Sequence, residues 1–239
     1  ESTYNKGEYC PEGGKCLSLN EMTVVMSTER DHAKLLDYWQ GWHKVSPPMR
    51  ADYQRLVEIA NEGSRELGFK DTGDLWRSKY DMSSAEFAAD YDNQWNKVKP
   101  LYEALHCHVR AKLGEVYGND VVPQDKPIPA HLLGNMWAQT WGSIYDLVAP
   151  KNAGTAVDTT ALLAKAGMDE IAMVKTAEKF FTSLGFDPLP DTFWERSLFI
   201  EPVGYKAGCH ASAWNLDNKE DLRIKMCIKK TGDDFQRSE

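Results

Sequence analysis

The stretch SSAEFAADYDNQWNKVKPLYEALHCHVRAKLGEV, residues 83–116, decides the fold class. It opens with Ser83-Ser84-Ala85-Glu86, a capping box whose serine and glutamate satisfy free backbone groups at a helix start. Phe87, Tyr91, Trp95, Val98, Tyr102, Leu105, Val109, Leu113 and Val116 then recur every three or four residues, the period of a helix with one apolar face. Pro100 lies inside this pattern, lacks an N–H, and predicts a kink or a break there.

Working outward, Met22–Trp42 places Val25, Met26, Leu35, Leu36, Trp39 and Trp42 at mostly helical spacings before Pro47 and Pro48 break the chain. A helix from about Met49 to Leu67 stops at Gly68. Three prolines between Val121 and Pro129 predict an extended connection. Leu132–Val148 then reads as a helix with Trp137, Trp141 and Tyr145 on one face and the polar Gln139 among them. Asp158 and Asp169 suit N-caps of helices that end before Gly167 and Gly185. From about residue 204 the period changes to two. Leu222, Ile224, Met226 and Ile228 alternate with Arg223, Lys225 and Cys227, which pairs Leu222–Ile228 with Gly204–Trp214 as a hairpin. The expected fold is mainly α, helical over 20–197, with one β-hairpin within 203–228.

The chain has 239 residues, 42% hydrophobic and 27% charged, enough apolar side chain for a sizeable core in one or two globular domains. Collagen-like and disordered classes are excluded, and no apolar run is long enough to span a bilayer. Against 28 Lys and Arg stand 36 Asp and Glu, a net charge of -8 that repels phosphate backbones and anionic lipid. With no clustered basic patch, nucleic acid is not an expected partner. Eight Trp and ten Tyr suit either thick helical cores or clefts that grip peptides. The first residue is Glu1 with no leader before it, which predicts a processed N-terminus or an excerpt.

Cys10 and Cys16 bracket the turn-forming Pro11-Glu12-Gly13-Gly14-Lys15, which suits a disulfide loop in an oxidising compartment. Cys209 and Cys227 flank the strand-like runs and predict a cross-hairpin bridge contributing roughly 3 kcal/mol. Cys107 is left over. Its neighbours His106 and His108 do not share a helix face, which weighs against a metal site there.

Residues 127–141, PIPAHLLGNMWAQTW, and Cys209-His210-Ala211-Ser212-Ala213-Trp214 are similar to signatures of the angiotensin-converting enzyme family of peptidases. Further matching stretches fall in the same order. They are Asp71-Thr72-Gly73 with Trp76-Arg77-Ser78, Phe180 to Gly185, Phe193-Trp194-Glu195, and Arg223-Ile224-Lys225 before Cys227. The resemblance implies a mostly helical, secreted or membrane-anchored zinc dipeptidyl carboxypeptidase with chloride dependence and a peptide cleft between two halves. In such enzymes zinc is held by the histidines of a His-Glu-x-x-His helix and a later glutamate, the motif's own glutamate acting as general base. None of His32, His43, His106, His108, His131 and His210 begins that motif. The resemblance therefore implies a single partial domain over 1–239 that lacks the zinc ligands, completed by the remainder of the parent domain. Ile228–Glu239 is charged and reads as a departure from the family.

By the same resemblance, Gln139 matches the glutamine that binds the substrate's free carboxylate, and its neutral amide adds no desolvated charge. The alternative is a buried glutamine satisfied by backbone. Thr140 resembles a lining residue of that pocket. His210 and Ala211 match a strand lying along the bound peptide, the histidine touching a substrate carbonyl and the alanine backbone pairing with it. Ala213 lines the same cleft, while Trp214 is read as packing. Tyr80 matches a chloride ligand. At a second chloride site the family's arginine is replaced by His43, after Gly41-Trp42, which puts chloride there in doubt. His131 is read as structural, holding its turn by hydrogen bonds.

Three readings follow. The chain is part of a zinc metallopeptidase that removes C-terminal dipeptides and alone supplies a substrate-binding wall without catalysis. Alternatively it is a naturally truncated, non-catalytic homologue that binds peptides or regulates, motivated by the charged tail. The third, an unrelated helical carrier, requires every motif to be coincidence.

Overall fold

The computed structural model describes residue 4 and residues 7–151, 153, 157–204 and 208–238. The chain is mainly α and divides into two compact units, Glu1–Lys151 and Asn152–Glu239.

In the first unit, β1 (Glu8–Tyr9) and β2 (Leu17–Ser18) pair antiparallel, and the Cys10–Cys16 disulfide closes the loop between them. Ser18 and Glu21 form a capping box at the start of α1 (Leu19–Thr28). Asp31 caps α2 (His32–His43), so the single stretch read as one helix is two, separated by Glu29 and Arg30. After a 3-10 turn at Pro47–Met49, α3 (Arg50–Glu66) runs to a corner with α4 (Thr72–Arg77). Buried Ser64 fixes that corner, donating to the Ala60 carbonyl and meeting Thr72 Oγ1 at 3.0 Å.

Helix α5 (Ser84–Tyr117) is unbroken across Pro100, so the break does not occur. Two 3-10 turns follow, Ala130–Leu132 and Gly142–Ile144, and then the short α6 (Tyr145–Val148). The core joins Met22 and Met26 of α1, Leu35 and Trp42 of α2, Val109 and Leu113 of α5, and Ile128, Leu132, Leu133, Met136, Ile144 and Val148 beyond it. Gly41 is required here, because a Cβ would stand 2.3 Å from the Tyr9 ring.

The expected helix over Leu132–Val148 is corrected. Gly134 and Ala138 both adopt left-handed backbone, at φ of 73° and 54°, which a helix cannot carry. The Asn135 side chain accepts from the Trp137 N–H at 2.9 Å, a turn that competes with helical bonding.

In the second unit, α7 (Thr159–Lys165) and α8 (Glu170–Ser183) begin at Asp158 and Asp169, each accepting from a backbone N–H three residues on. Then come α9 (Asp191–Arg196), the antiparallel pair β3 (Ser212–Asn215) and β4 (Leu222–Lys225), and α10 (Gly232–Ser238). Leu163, Met173, Val174, Phe193, Phe199, Met226 and Ile228 make this unit's core. The hairpin is shorter than the sequence predicts, since the strands span only four residues each. Part of the first run, 205–207, lies outside the described residues.

Candidate functional site

Gln139 and Thr140 sit in the loop that replaced the expected helix, and both are exposed. Three contacts fix that loop. The Trp39 indole N–H donates to the Met136 carbonyl at 3.1 Å, and the Trp141 indole to the Ala138 carbonyl at 3.0 Å. Trp141 in turn meets the rings of His106 and Tyr102 on α5, at 5.7 and 6.3 Å. His108, two residues on from His106 and on another face of α5, donates to the Val148 carbonyl at 2.7 Å and ties α5 to the end of α6. An aromatic and hydrogen-bonded frame therefore presents a primary amide to solvent. The alternative of a buried glutamine is not what the fold shows. Asn135 and Ala138, which aim this loop, were missed in the sequence; the Gly134-Asn135 pair was the available turn signal.

His210, Ala211 and Ala213 lie in the second unit, at the start of β3 and on it, and all three are exposed. Among the described residues β3 pairs with β4 alone, Ala213 opposite Ile224, so its outer edge carries unpaired backbone groups. β4 is held on its other side, where the Leu198 N–H donates to the Ile224 carbonyl and the Met226 N–H to the Leu198 carbonyl. The Cys209–Cys227 disulfide anchors the residue before His210 to the chain just beyond β4. The turn between the strands is set by Asp217, whose carboxylate accepts from the N–H groups of Lys219, Glu220 and Asp221; these bonds, Asp221's foremost, hold it below the usual carboxylate range. Trp214 is not packing residue: it is 59% exposed, its indole N–H on Ser212 Oγ.

Tyr80 is exposed, with its ring against Phe87 at 4.5 Å. His43 donates Nδ1–H to the Trp39 carbonyl at 2.6 Å. His106 accepts from Arg110 at 3.0 Å, and burial, then the neighbouring guanidinium, pushes its pKa down. With Tyr102, Glu103 and exposed Cys107, these two line an open cavity of about 370 Å³. His131 is buried, and its Nε2 finds no hydrogen-bond partner, so that nitrogen does not help hold the turn as the structural reading expected. Among the described residues no three His, Cys, Asp or Glu side chains gather as a metal would require. No helix among them is long and apolar enough to cross a membrane.

The family model described as angiotensin-converting enzyme matches residues 1–238. Because that match includes 228–238, the reading of the charged tail as a departure from the family is corrected. The chain is 41% identical over 238 residues to the angiotensin-converting enzyme of Bos taurus, covering 98% of itself and 18% of that protein. It is 39% identical to the angiotensin-converting enzyme-like protein Ace3 of Mus musculus, covering 98% of itself and 32% of the relative. To the angiotensin-converting enzyme of Theromyzon tessulatum it is 38% identical, covering 90% of itself and 35% of the relative. The chain thus spans between about a fifth and a third of these relatives, and it belongs to the angiotensin-converting enzyme family of peptidases.

Proposed function

We propose that this chain supplies a peptide-binding wall of a zinc peptidyl-dipeptidase that removes dipeptides from peptide C-termini. Its two units belong to one partial domain, completed by the remainder of the parent. The observation that carries the reading is the outer edge of β3, unpaired among the described residues and flanked by the exposed His210, Ala211 and Ala213. An extended peptide adds to such an edge by main-chain hydrogen bonds, and small side chains let it approach. Gln139 offers amide donors to a terminal carboxylate, with Thr140 beside it. Zinc would be held by the remainder of the parent and would supply Lewis-acid chemistry there; chloride, with Tyr80 as one ligand, would belong to the same parent. Two disulfides suit an extracellular setting, whether the parent is secreted or a membrane-anchored ectodomain.

The test is binding of a labelled extended peptide to the 239-residue chain, with a free C-terminal carboxylate or a C-terminal amide, followed by NMR of residues 208–215 and 137–141. The expected result is shifts at 208–215 with either peptide and, read separately, shifts at 137–141 that are weaker for the amide, with no dipeptide released when zinc is added. Shifts at neither segment sink the binding wall. Stoichiometric zinc with dipeptide release sinks the division of labour.

A further inference from the structure

His131 stands in the 3-10 turn Ala130–Leu132 and is the one ionisable side chain that the fold buries outright among the described residues, at 7% exposure. Its Nε2 has no hydrogen-bond partner. One charged group, His32, acts on it directly, and further charged groups gather around Tyr117, whose ring meets His32. His32 begins α2 and lies close enough for its charge to act on His131. Tyr117 ends α5, meets the His32 ring edge-on at 6.4 Å, and also has a buried hydroxyl without a partner. Arg30, in the link between α1 and α2, donates to the Ser143 carbonyl and to Asp146 on α6, at 3.0 and 3.1 Å. Glu29 beside it accepts from the Asp31 N–H and pairs with Lys34 at 3.5 Å. The carboxylates near this junction thus already have partners, and none is bonded to His131.

A proton on His131 must therefore enter a buried ring with no acceptor at Nε2 and a second imidazole nearby. Charging a buried group that has no partner is costly, and the fold relieves the cost by letting water reach the ring. We propose that this junction is an acid-sensitive latch: protonating His131 frees the turn Ala130–Leu132 and loosens the chain from Ile128 to Val148 that completes the first core, while the second unit stays closed.

Burial, then the charge of His32, lowers the pKa of His131 below its ordinary value. The opened form takes the proton near about 6.5, so the latch holds fully above that pH and weakens as pH falls below it. Hydrogen-exchange protection of the 239-residue chain, measured between pH 7.5 and 5, tests this. Protection of residues 130–136 should fall by up to about tenfold per pH unit below 6.5, the limit for uptake of one proton, while residues 170–178 stay level. His131→Phe keeps an apolar ring that cannot charge and should remove the slope. Should that variant not fold, the wild-type histidine ring resonances decide: His131 must titrate below a histidine in an unfolded peptide. Level protection at 130–136, a slope that survives in a folded His131→Phe chain, or titration at the ordinary value would each overturn the latch.

Discussion

The two halves of α5 share one apolar period and meet opposite fates. Val109 and Leu113, in the second half, are buried to within 1% in a core drawn from α1, α2 and the chain beyond α5. Tyr91, Trp95 and Val98, in the first half, continue the same stripe and are exposed, Tyr91 at 67%. Tyr53, Leu56 and Ile59 on α3 are exposed likewise. Periodicity records which face of a helix is apolar. It does not record whether anything covers that face, and faces left open in this way promote association.

The largest expected effect sets the halves directly against each other. Leu113→Ala removes a fully buried side chain from the shared core and should cost about 2–5 kcal/mol. Val98→Ala, on the same stripe, should fall within about 0.5 kcal/mol of wild type. Urea unfolding of both variants reads the difference, and equal shifts of the midpoint would mean that the first half is covered too.

That contrast also explains what was legible in the sequence. The capping box at Ser83, the N-caps at Asp158 and Asp169, both disulfides and the hairpin near the C-terminus rest on short-range chemistry between residues close in the chain, and each was readable. The region around Gln139 was not, because its apolar spacing fits a helix while Gly134 and Ala138 take left-handed backbone. What holds them there is distant: the Trp39 indole on the Met136 carbonyl, 97 residues away. Of the candidate site, the residue types and the strand carrying His210 and Ala213 were visible; the exposed loop carrying Gln139 was a tertiary outcome. His131 shows the same limit. Its identity suggested a hydrogen-bonded turn, and only the fold reveals that burial leaves Nε2 alone.

Pro100 marks the boundary between the halves and sharpens the comparison next. A proline inside a helix is less favourable than alanine by about 3 kcal/mol. Since α5 continues across it, Pro100→Ala should relieve that cost where the helix is least covered. The expected outcome is stronger amide protection over residues 90–104 with little change at residues 109–113. If protection rises equally in both halves, they open as one unit and the division drawn here is wrong.

Two capping boxes of nearly equal geometry give a smaller contrast. Ser18 accepts from the Glu21 N–H at 3.4 Å and donates its own N–H to Glu21 at 2.9 Å; for Ser83 and Glu86 the distances are 3.3 and 2.9 Å. The first box starts a helix carrying Met22 and Met26, both at the centre of the core, and the second starts the exposed half of α5. Ser18→Ala should lower global stability by about 1 kcal/mol. Ser83→Ala should fray only the first turn of α5, visible in amide exchange but not in the urea midpoint.

The smallest effect separates the boxes by their electrostatics. Glu21 is lowered to about 2, first by the hydrogen bond from Lys15 at 2.9 Å and then by the Ser18 backbone and hydroxyl. Glu86 is lowered by Ser83 alone, its hydroxyl first and its N–H second, with no cation beside it. Both carboxylates hold their helix ends fully above the ordinary value of about 4.3, and that contribution is lost as pH falls toward the folded value. At low salt the first turn of α1 should therefore keep its amide protection to lower pH than the first turn of α5. Salt screens the exposed Lys15–Glu21 pair but leaves the neutral Ser83 contacts, so in molar NaCl the two ends should converge. If they already fray at the same pH in low salt, Lys15 adds nothing to its box, and the two differ only in what their helices bury.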